Sequence, residues 1–263
     1  MSVREKGAMD DVTEVGLKTC GVVDRLSGTI ISARISSRDV QFFVADENDI
    51  IQKEHWAGRF YEANELEVIS QYFPSGGVFA DIGSNVGNHM LFVALFLSPC
   101  EVIVLEPNLD AFAILKANVA LNQLGGCVDV SFGGIGLSNT SAHATAITKA
   151  GNLGETRLQI NKNRVGLPVV AGDELLSGRR IDFLKIDVEG MEIDVLNGLR
   201  RTIEEQEPFI FVEVDNCNAE AFLEWTRANN YICVYSTGRP VWSLPPESRE
   251  GYDNFMLVPE PQD

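Results

Sequence analysis

The chain has 263 residues, 45% hydrophobic and 22% charged, with a formal net charge of −17, which is ordinary for a globular protein with a substantial core. That acidity argues against a phosphate backbone or an anionic membrane surface as partner, because both call for clustered Lys and Arg. Five cysteines without a C-x-x-C pair argue for reduced thiols over a disulfide framework or a zinc site. With no apolar leader core and no apolar run near the ~20 residues of a membrane span, a soluble, cytoplasmic protein is expected.

In chain order, residues 1–20 are polar and without periodicity, which predicts a loosely packed start. Thr29 to Ile35 and Val40 to Ala45 are β-branched and aromatic runs about the polar Ser36-Ser37-Arg38-Asp39, a predicted hairpin. Asp46 to Asp49 form a polar turn. Phe60 to Phe73 spaces Leu66, Ile69, Tyr72 and Phe73 helically, and Pro74-Ser75-Gly76-Gly77 stops it. Val78 to Ile82 is a buried strand carrying Asp81, followed by Gly83, Gly87 and a helix from Met90 to Leu97. A strand running into a glycine turn and a helix opens a nucleotide-binding α/β unit.

Glu101 to Glu106 is a second strand, and Pro107 to Leu124 a helix closed by Gly125-Gly126. Cys127 to Phe132 is a third strand. Residues 133–176 show only β-like fragments at 142–147 and 157–160. Ile181 to Ile186 and Phe209 to Val214 are strands; Glu192 to Ile203 and Ala219 to Asn229 are helices. Tyr231 to Tyr235 and Asn254 to Val258 close the chain as strands about a Pro-rich loop, 238–250. This alternation predicts an α/β fold with a Rossmann-like parallel sheet, wrapped on both faces and bearing one antiparallel edge strand. Residues 78–263 would form that domain, and residues 1–77 an N-terminal hairpin, lid and helix extension.

Such sheets bind ligands beyond the carboxyl ends of their strands, and four of those ends carry acids: Asp81, Glu106, Asp187 and Glu213. Glu106 lies 19 residues after Gly87, where a carboxylate can accept hydrogen bonds from a ribose diol. A dinucleotide pyrophosphate needs N–H donors and no adjacent anion, in a G-x-G-x-x-G turn. Here the turn is Asp81-x-Gly83-x-x-x-Gly87, led by a carboxylate. S-adenosylmethionine carries a sulfonium and an ammonium and no phosphate, so an acid-rimmed pocket favours it over NAD.

The blocks FADIGSNVGNH (79–89), VIVLEPNLDAFAILKANVALN (102–122), IDFLKIDVEGMEIDVLNG (181–198) and IFVEV (210–214) together resemble the FkbM family of S-adenosylmethionine-dependent methyltransferases. GRFYEANEL (58–66) is similar to the Glu-containing segment before that family's first motif; Ser84 stands where the family usually has Ala. The resemblance implies a seven-strand methyltransferase sheet and O-methylation of a hydroxyl on a sugar, glycan or natural-product small molecule. It implies that Asp81, Gly83, Asn85, Gly87 and Asn88 line the methionine end of the cofactor and that Glu106 holds the ribose. Pro107 and Asn108 would flank the adenine, with Gly134 and Ile135 on its other side. Asp187 would sit beside the transferred methyl.

A hydroxyl acceptor must lose its proton to a base within ~3 Å, and Asp187, Glu189, His55 and His89 are the candidates. His55 is placed in a lid with Trp56; His89 is read as capping or packing the first helix and His143 as uninvolved. Glu192 is read as a solvated helix face, and Asn118 and Asn122 as structural hydrogen-bonders. Asp187, Asp215 and Asn216 could together hold Mg²⁺, but an Asx turn at Asp215 is preferred and no metal is assigned. A NAD-dependent oxidoreductase and a non-catalytic binding protein of the same fold remain alternatives. No nucleic-acid or membrane partner is expected; the sequence does not set the oligomeric state and is compatible with a homodimer.

Overall fold

The structure, a computed structural model, describes residues 15–19, 22–149, 152–161, 165–237 and 251–261. Residues 1–14, Cys20 and the loop 238–250 lie outside the described residues. Two hairpins open it, β1 (Val15–Thr19) with β2 (Val22–Leu26) and β3 (Thr29–Ile35) with β4 (Arg38–Val44). The first of these stands partly in the stretch expected to be loose. The second turns through Ser36 and Ser37 at φ 48° and 68°, a two-residue connection whose left-handed backbone suits the twist of the strands, tighter than the four-residue turn expected.

Helices α1 (Ile50–Trp56) and α2 (Ala63–Tyr72) precede β5 (Val78–Ile82), α3 (Asn88–Phe96), β6 (Glu101–Glu106), α4 (Leu109–Leu121) and β7 (Val128–Gly133). Helix α1 was not expected; Asp49 caps it by accepting from the amides of Ile51 and Gln52, as a short side-chain acceptor at a helix start does. Four strands follow, β8 (Gly136–Ser138), β9 (Ala142–Lys149), β10 (Asn152–Asn161) and β11 (Leu167–Ala171), then the single turn α5 (Gly172–Leu175). They form a separate sheet in the order β10-β9-β11-β8. The chain continues through β12 (Phe183–Ile186), α6 (Glu192–Gly198), α7 (Arg200–Gln206), β13 (Phe209–Asp215), α8 (Ala219–Ala228), β14 (Tyr231–Ser236) and β15 (Tyr252–Pro259).

The central sheet has seven strands in the order β14-β15-β13-β12-β5-β6-β7. Strands β13, β12, β5, β6 and β7 run parallel, and β15 is antiparallel to both its neighbours. The antiparallel strand is therefore one place in from the edge and not at it. Burial explains the order: Phe255, Met256 and Leu257 of β15 are at most 2% exposed, whereas Ile232 and Val234 of β14 are 42% and 43% exposed. An edge strand tolerates that exposure; an interior one buries both faces. Strand β5 is buried along its whole length, which places its carboxyl end deep in the molecule. Among the described residues no helix is long and apolar enough to cross a membrane, and Cys100, Cys127, Cys217 and Cys233 are free thiols.

Helix α4 holds the N-terminal hairpin through side-chain amides. Asn118 accepts from the Phe43 amide at 2.7 Å and donates to the Val86 carbonyl at 2.8 Å. Asn122 brackets Gln41, accepting from its amide at 2.9 Å and donating to its carbonyl at 2.7 Å. Both asparagines thus satisfy a strand edge that would otherwise be buried unpaired. Replacing Asn118, which is fully buried, by leucine leaves two backbone groups without partners and is expected to cost about 2–4 kcal/mol, read from urea denaturation.

Candidate active site

The glycine turn after β5 brings the strand ends together. Gly83 adopts φ 79°, and a Cβ there would overlap the carbonyl oxygen of Asp187, so only glycine lets the turn pass so close to the end of β12. The amides of Gly83 and Ser84 donate to the Leu105 carbonyl at 2.9 and 3.1 Å. Asn85 takes the left-handed conformation at φ 48° and Gly87 at φ 86°, after which α3 begins.

Beyond these ends lies a cleft of about 560 Å³, open mouth included, lined by Gly83, Asn85, Glu106, Pro107, Ile135 and Asp187 among others. Glu106 is anchored at its floor: one carboxylate oxygen accepts from the Asn85 amide and the other from the Asn108 amide, both at 2.7 Å. Burial pushes its pKa up to about 7 in spite of these two bonds, which favour the charged form. The β9–β10 hairpin covers the cleft with Leu153, Thr156 and Leu158. Asp49 ties that hairpin down by accepting from the Leu153 amide at 3.1 Å.

An ion cluster sits where β5, β12 and β13 end. Lys185, 4% exposed, donates to the Gly83 carbonyl at 2.9 Å and to Asp187 at 3.1 Å, and lies 3.5 Å from Asp81, which is fully buried. Burial would lower the pKa of Lys185, but Asp187 and Asp81 override it and hold the ammonium charged. Burial raises the Asp81 pKa, and Lys185 opposes this. Burial would also raise that of Asp187, yet Lys185 keeps it low and the group ionised. Glu213 is driven the other way by burial and by the adjacent Asp187 charge, so the proton of this pair resides on Glu213. A lone buried charge would be far more costly than this compensated set.

A second cavity adjoins the first, sharing Gly83, Asn85, Asp187 and Glu189, and adds Tyr61, Glu62, His89, Glu213 and Tyr252. Glu62 stands at φ 55° before α2, and burial together with the Asp187 charge pushes its pKa up to about 7. Its carboxylate lies 3.6 Å from Nε2 of His89, whose pKa burial drives down to about 3, so the imidazole is neutral. The Tyr252 hydroxyl accepts from Arg157 at 2.6 Å and donates to Glu189.

Most of the residues singled out in the sequence meet at these two cavities: Asp187 and Glu189 line both, as do Gly83 and Asn85, with Glu106, Pro107 and Ile135 in the first. Asp81 lies just beneath them, Gly87 turns into α3, and Gly134, at φ 76°, donates its amide to the Glu106 carbonyl. His55 is not brought there. It is fully buried, stacked on Phe42 at 4.4 Å with Nε2 3.1 Å from Asn88, and burial lowers its pKa to about 4. It packs behind the site and cannot reach an acceptor.

Two expected cofactor contacts have their side chains engaged by the fold, although Asn88 also lines the second cavity. Asn88 accepts from the Tyr61 amide and donates to the Tyr61 carbonyl, both at 3.0 Å. Asn108 caps α4 through the Asp110 and Ala111 amides and donates to Thr156 at 3.1 Å. Glu192, expected on a solvated face, is fully buried and accepts from the Gly190 amide at 2.6 Å and from Asn218 at 2.8 Å. Asp215 accepts from the Cys217 amide at 3.0 Å, the Asx turn anticipated. His143 sits in β9, away from both cavities.

Sequence reasoning missed Lys185, Glu62 and the hairpin residues Leu153, Thr156 and Leu158. A lysine inside the apolar run IDFLKI was a usable signal, since a charge enters a buried strand only with partners; the hairpin residues carried none.

Residues 81–233, more than half of the chain, match the family described as the methyltransferase FkbM domain. The chain is also similar to the hexuronic acid methyltransferase AglP of Haloferax volcanii, with 24% identity over 185 residues, 69% of this chain and 73% of that protein. Among solved structures it is similar to the B. subtilis M1A22 tRNA methyltransferase TrmK, at 15% identity and a TM-score of 0.47 over 76% of this chain and 68% of that one. It is likewise similar to the M. jannaschii tRNA m1G37 methyltransferase, at 9% identity and a TM-score of 0.48 over 91% of this chain and 61% of that one. The ordered strand-end acids, the glycine turn and the match across its core place this chain in the FkbM methyltransferase domain family, and it is a methyltransferase.

Proposed function

We propose that the chain transfers a methyl group from S-adenosylmethionine to a hydroxyl of a sugar, glycan or related small molecule. The residues present fit that cofactor. Asn85 Oδ1 is buried without a hydrogen-bond partner on the cleft wall, and each Glu106 oxygen, having accepted one amide, retains a lone pair for a ribose hydroxyl. Leu105, Ile135, Leu153 and Leu158 offer the apolar faces an adenine needs. A dinucleotide would set its pyrophosphate beside Asp81 and Glu106, a like-charge encounter, which disfavours the oxidoreductase alternative. S-adenosylmethionine would supply an electrophilic methyl on a sulfonium.

The observation that carries the reading is Asp187, ionised by Lys185, 31% exposed and shared by the two cavities. It is placed to take the acceptor hydroxyl's proton as that oxygen gains its methyl group, which leaves Asp187 neutral beside the protonated Glu213. Glu189 has its carboxylate engaged by Tyr252, so it serves as an orienting group. The sugar-acting relative supports a carbohydrate acceptor for this chain. The test is methyl transfer from labelled S-adenosylmethionine across a panel of sugar hydroxyls. Asp187→Asn is expected to lower kcat by about 10²–10⁴-fold while S-adenosylhomocysteine still binds; unchanged kcat would remove Asp187 from the chemistry.

A further inference from the structure

The hairpin of β9 and β10 covers the cleft above Glu106 and is tied down on both sides of it. On the side of α1 and α4, Asp49 accepts from the Leu153 amide and Asn108 donates to Thr156, both at 3.1 Å. On the other side the tie is Arg157, which stands in β10 between Thr156 and Leu158 of the cleft lining. Its guanidinium donates to the Tyr252 hydroxyl at 2.6 Å and lies 3.5 Å from Asp215. Tyr252 and Asp215 are register partners at the end of the β13–β15 pair, so this one side chain of the hairpin straddles that pair.

The hydroxyl that accepts from Arg157 also donates to Glu189, and a hydroxyl polarised by a guanidinium at its oxygen is the stronger donor. Glu189 stands at φ 53° and Gly190 at φ 99°, a left-handed conformation that non-glycine residues seldom take, in the turn that also carries Asp187. Tyr252 lines the second cavity, and Glu189 lines both. The cover of the cofactor cleft and the wall of the acceptor cavity are thus joined by two hydrogen bonds in series, Arg157 to Tyr252 to Glu189. Lifting the hairpin to admit or release a cofactor breaks the first bond and weakens the second.

We infer that Arg157 and Tyr252 are positioning residues: through them, closure of the hairpin over the cofactor sets the Glu189 carboxylate for the acceptor. The assignment rests on the reading of the cleft as a methyl-transfer site. The acceptor then binds best to the closed, cofactor-loaded protein, and by linkage it tightens cofactor binding by the same factor. The experiment compares wild type, Tyr252→Phe, Arg157→Met and the double variant. Release of labelled S-adenosylhomocysteine into an excess of the unlabelled compound is timed for each, without acceptor. Steady-state methyl transfer is then measured on the acceptor that the sugar panel identifies. Tyr252→Phe removes one hydroxyl, and Arg157→Met keeps the stem of an exposed side chain, so both changes spare the core.

Each single variant is expected to release S-adenosylhomocysteine about tenfold faster, the loss of one charge-assisted bond. The double variant is no faster than either, because both changes cut the same chain of bonds. The accompanying loss of kcat/KM resides in the acceptor KM, the mark of a group that holds the acceptor before the chemical step. Arg157→Lys returns a donor to the Tyr252 hydroxyl and recovers most of the wild-type release rate and KM. Release unchanged in both single variants, effects that simply add in the double variant, or a loss confined to kcat overturns the proposal. Failure of S-adenosylhomocysteine to bind the wild-type protein is a separate result, which overturns the underlying reading and the relay with it.

Discussion

Lys185→Met is expected to destabilise the protein by about 3–5 kcal/mol, the cost of breaking a buried ion pair by removing one partner. The substitution keeps the volume of the side chain but leaves Asp81 fully buried with no cation and strips the Gly83 carbonyl of its donor. The sign of the pH dependence follows from Asp81. Its pKa is already raised by burial and held in check by Lys185; without the lysine it rises further. A group whose folded pKa lies above its unfolded value stabilises below the unfolded value and loses that contribution as pH rises through the folded one. The deficit of the variant therefore grows from acidic to neutral pH. Urea denaturation at pH 5 and pH 8 measures it, and a loss below about 1 kcal/mol at both, the size of an exposed pair, would mean that Lys185 does not neutralise the cluster.

The second large effect concerns Glu106. Glu106→Ala removes both ribose acceptors and leaves the Asn85 and Asn108 amides without their partner. Two charge-assisted hydrogen bonds at about 1.5–3 kcal/mol each amount to a hundredfold or greater loss of S-adenosylhomocysteine affinity. Because burial places the Glu106 pKa at about 7 and donated ribose hydroxyls favour the carboxylate, binding should expel a proton near neutrality. Affinity is then full above pH 7 and falls below it, toward the limit of about tenfold per pH unit. Glu62 titrates in the same range, so the comparison is with Glu106→Gln, in which the Glu106 share of the released proton disappears. Calorimetry in buffers of different ionisation enthalpy counts those protons.

The parallel core was legible because four of its five strands are near-continuous apolar runs with an acid at the carboxyl end, and such runs have few alternatives in a chain of this size. Glu101–Glu106 stands as read. The acids of the site were legible for the same reason, since a carboxylate ending a buried strand has to face the ligand edge. What failed was whatever depended on packing between distant segments. The β8–β11 sheet is only partly buried and carries weak alternation, so its pairing is decided by contacts across the cleft. His55 looked available because it was placed with Trp56 in a lid, yet the stacking of Phe42 and the amide of Asn88 enclose it. Asn88 and Asn108 were assigned to a ligand; their side-chain amides already satisfy backbone and side-chain groups of the protein, although Asn88 lines the second cavity. The position of β15 followed from its apolar centre, a feature visible in NFMLV but outweighed by its place at the end of the chain.

Calorimetric titration of the wild-type protein at pH 8 with S-adenosylhomocysteine, beside NAD, tests most directly whether the cleft above Glu106 takes S-adenosylmethionine. The account predicts a single site of micromolar affinity, about −8 kcal/mol, for the first ligand and no heat from the second. Binding of NAD, or of neither, would contradict it.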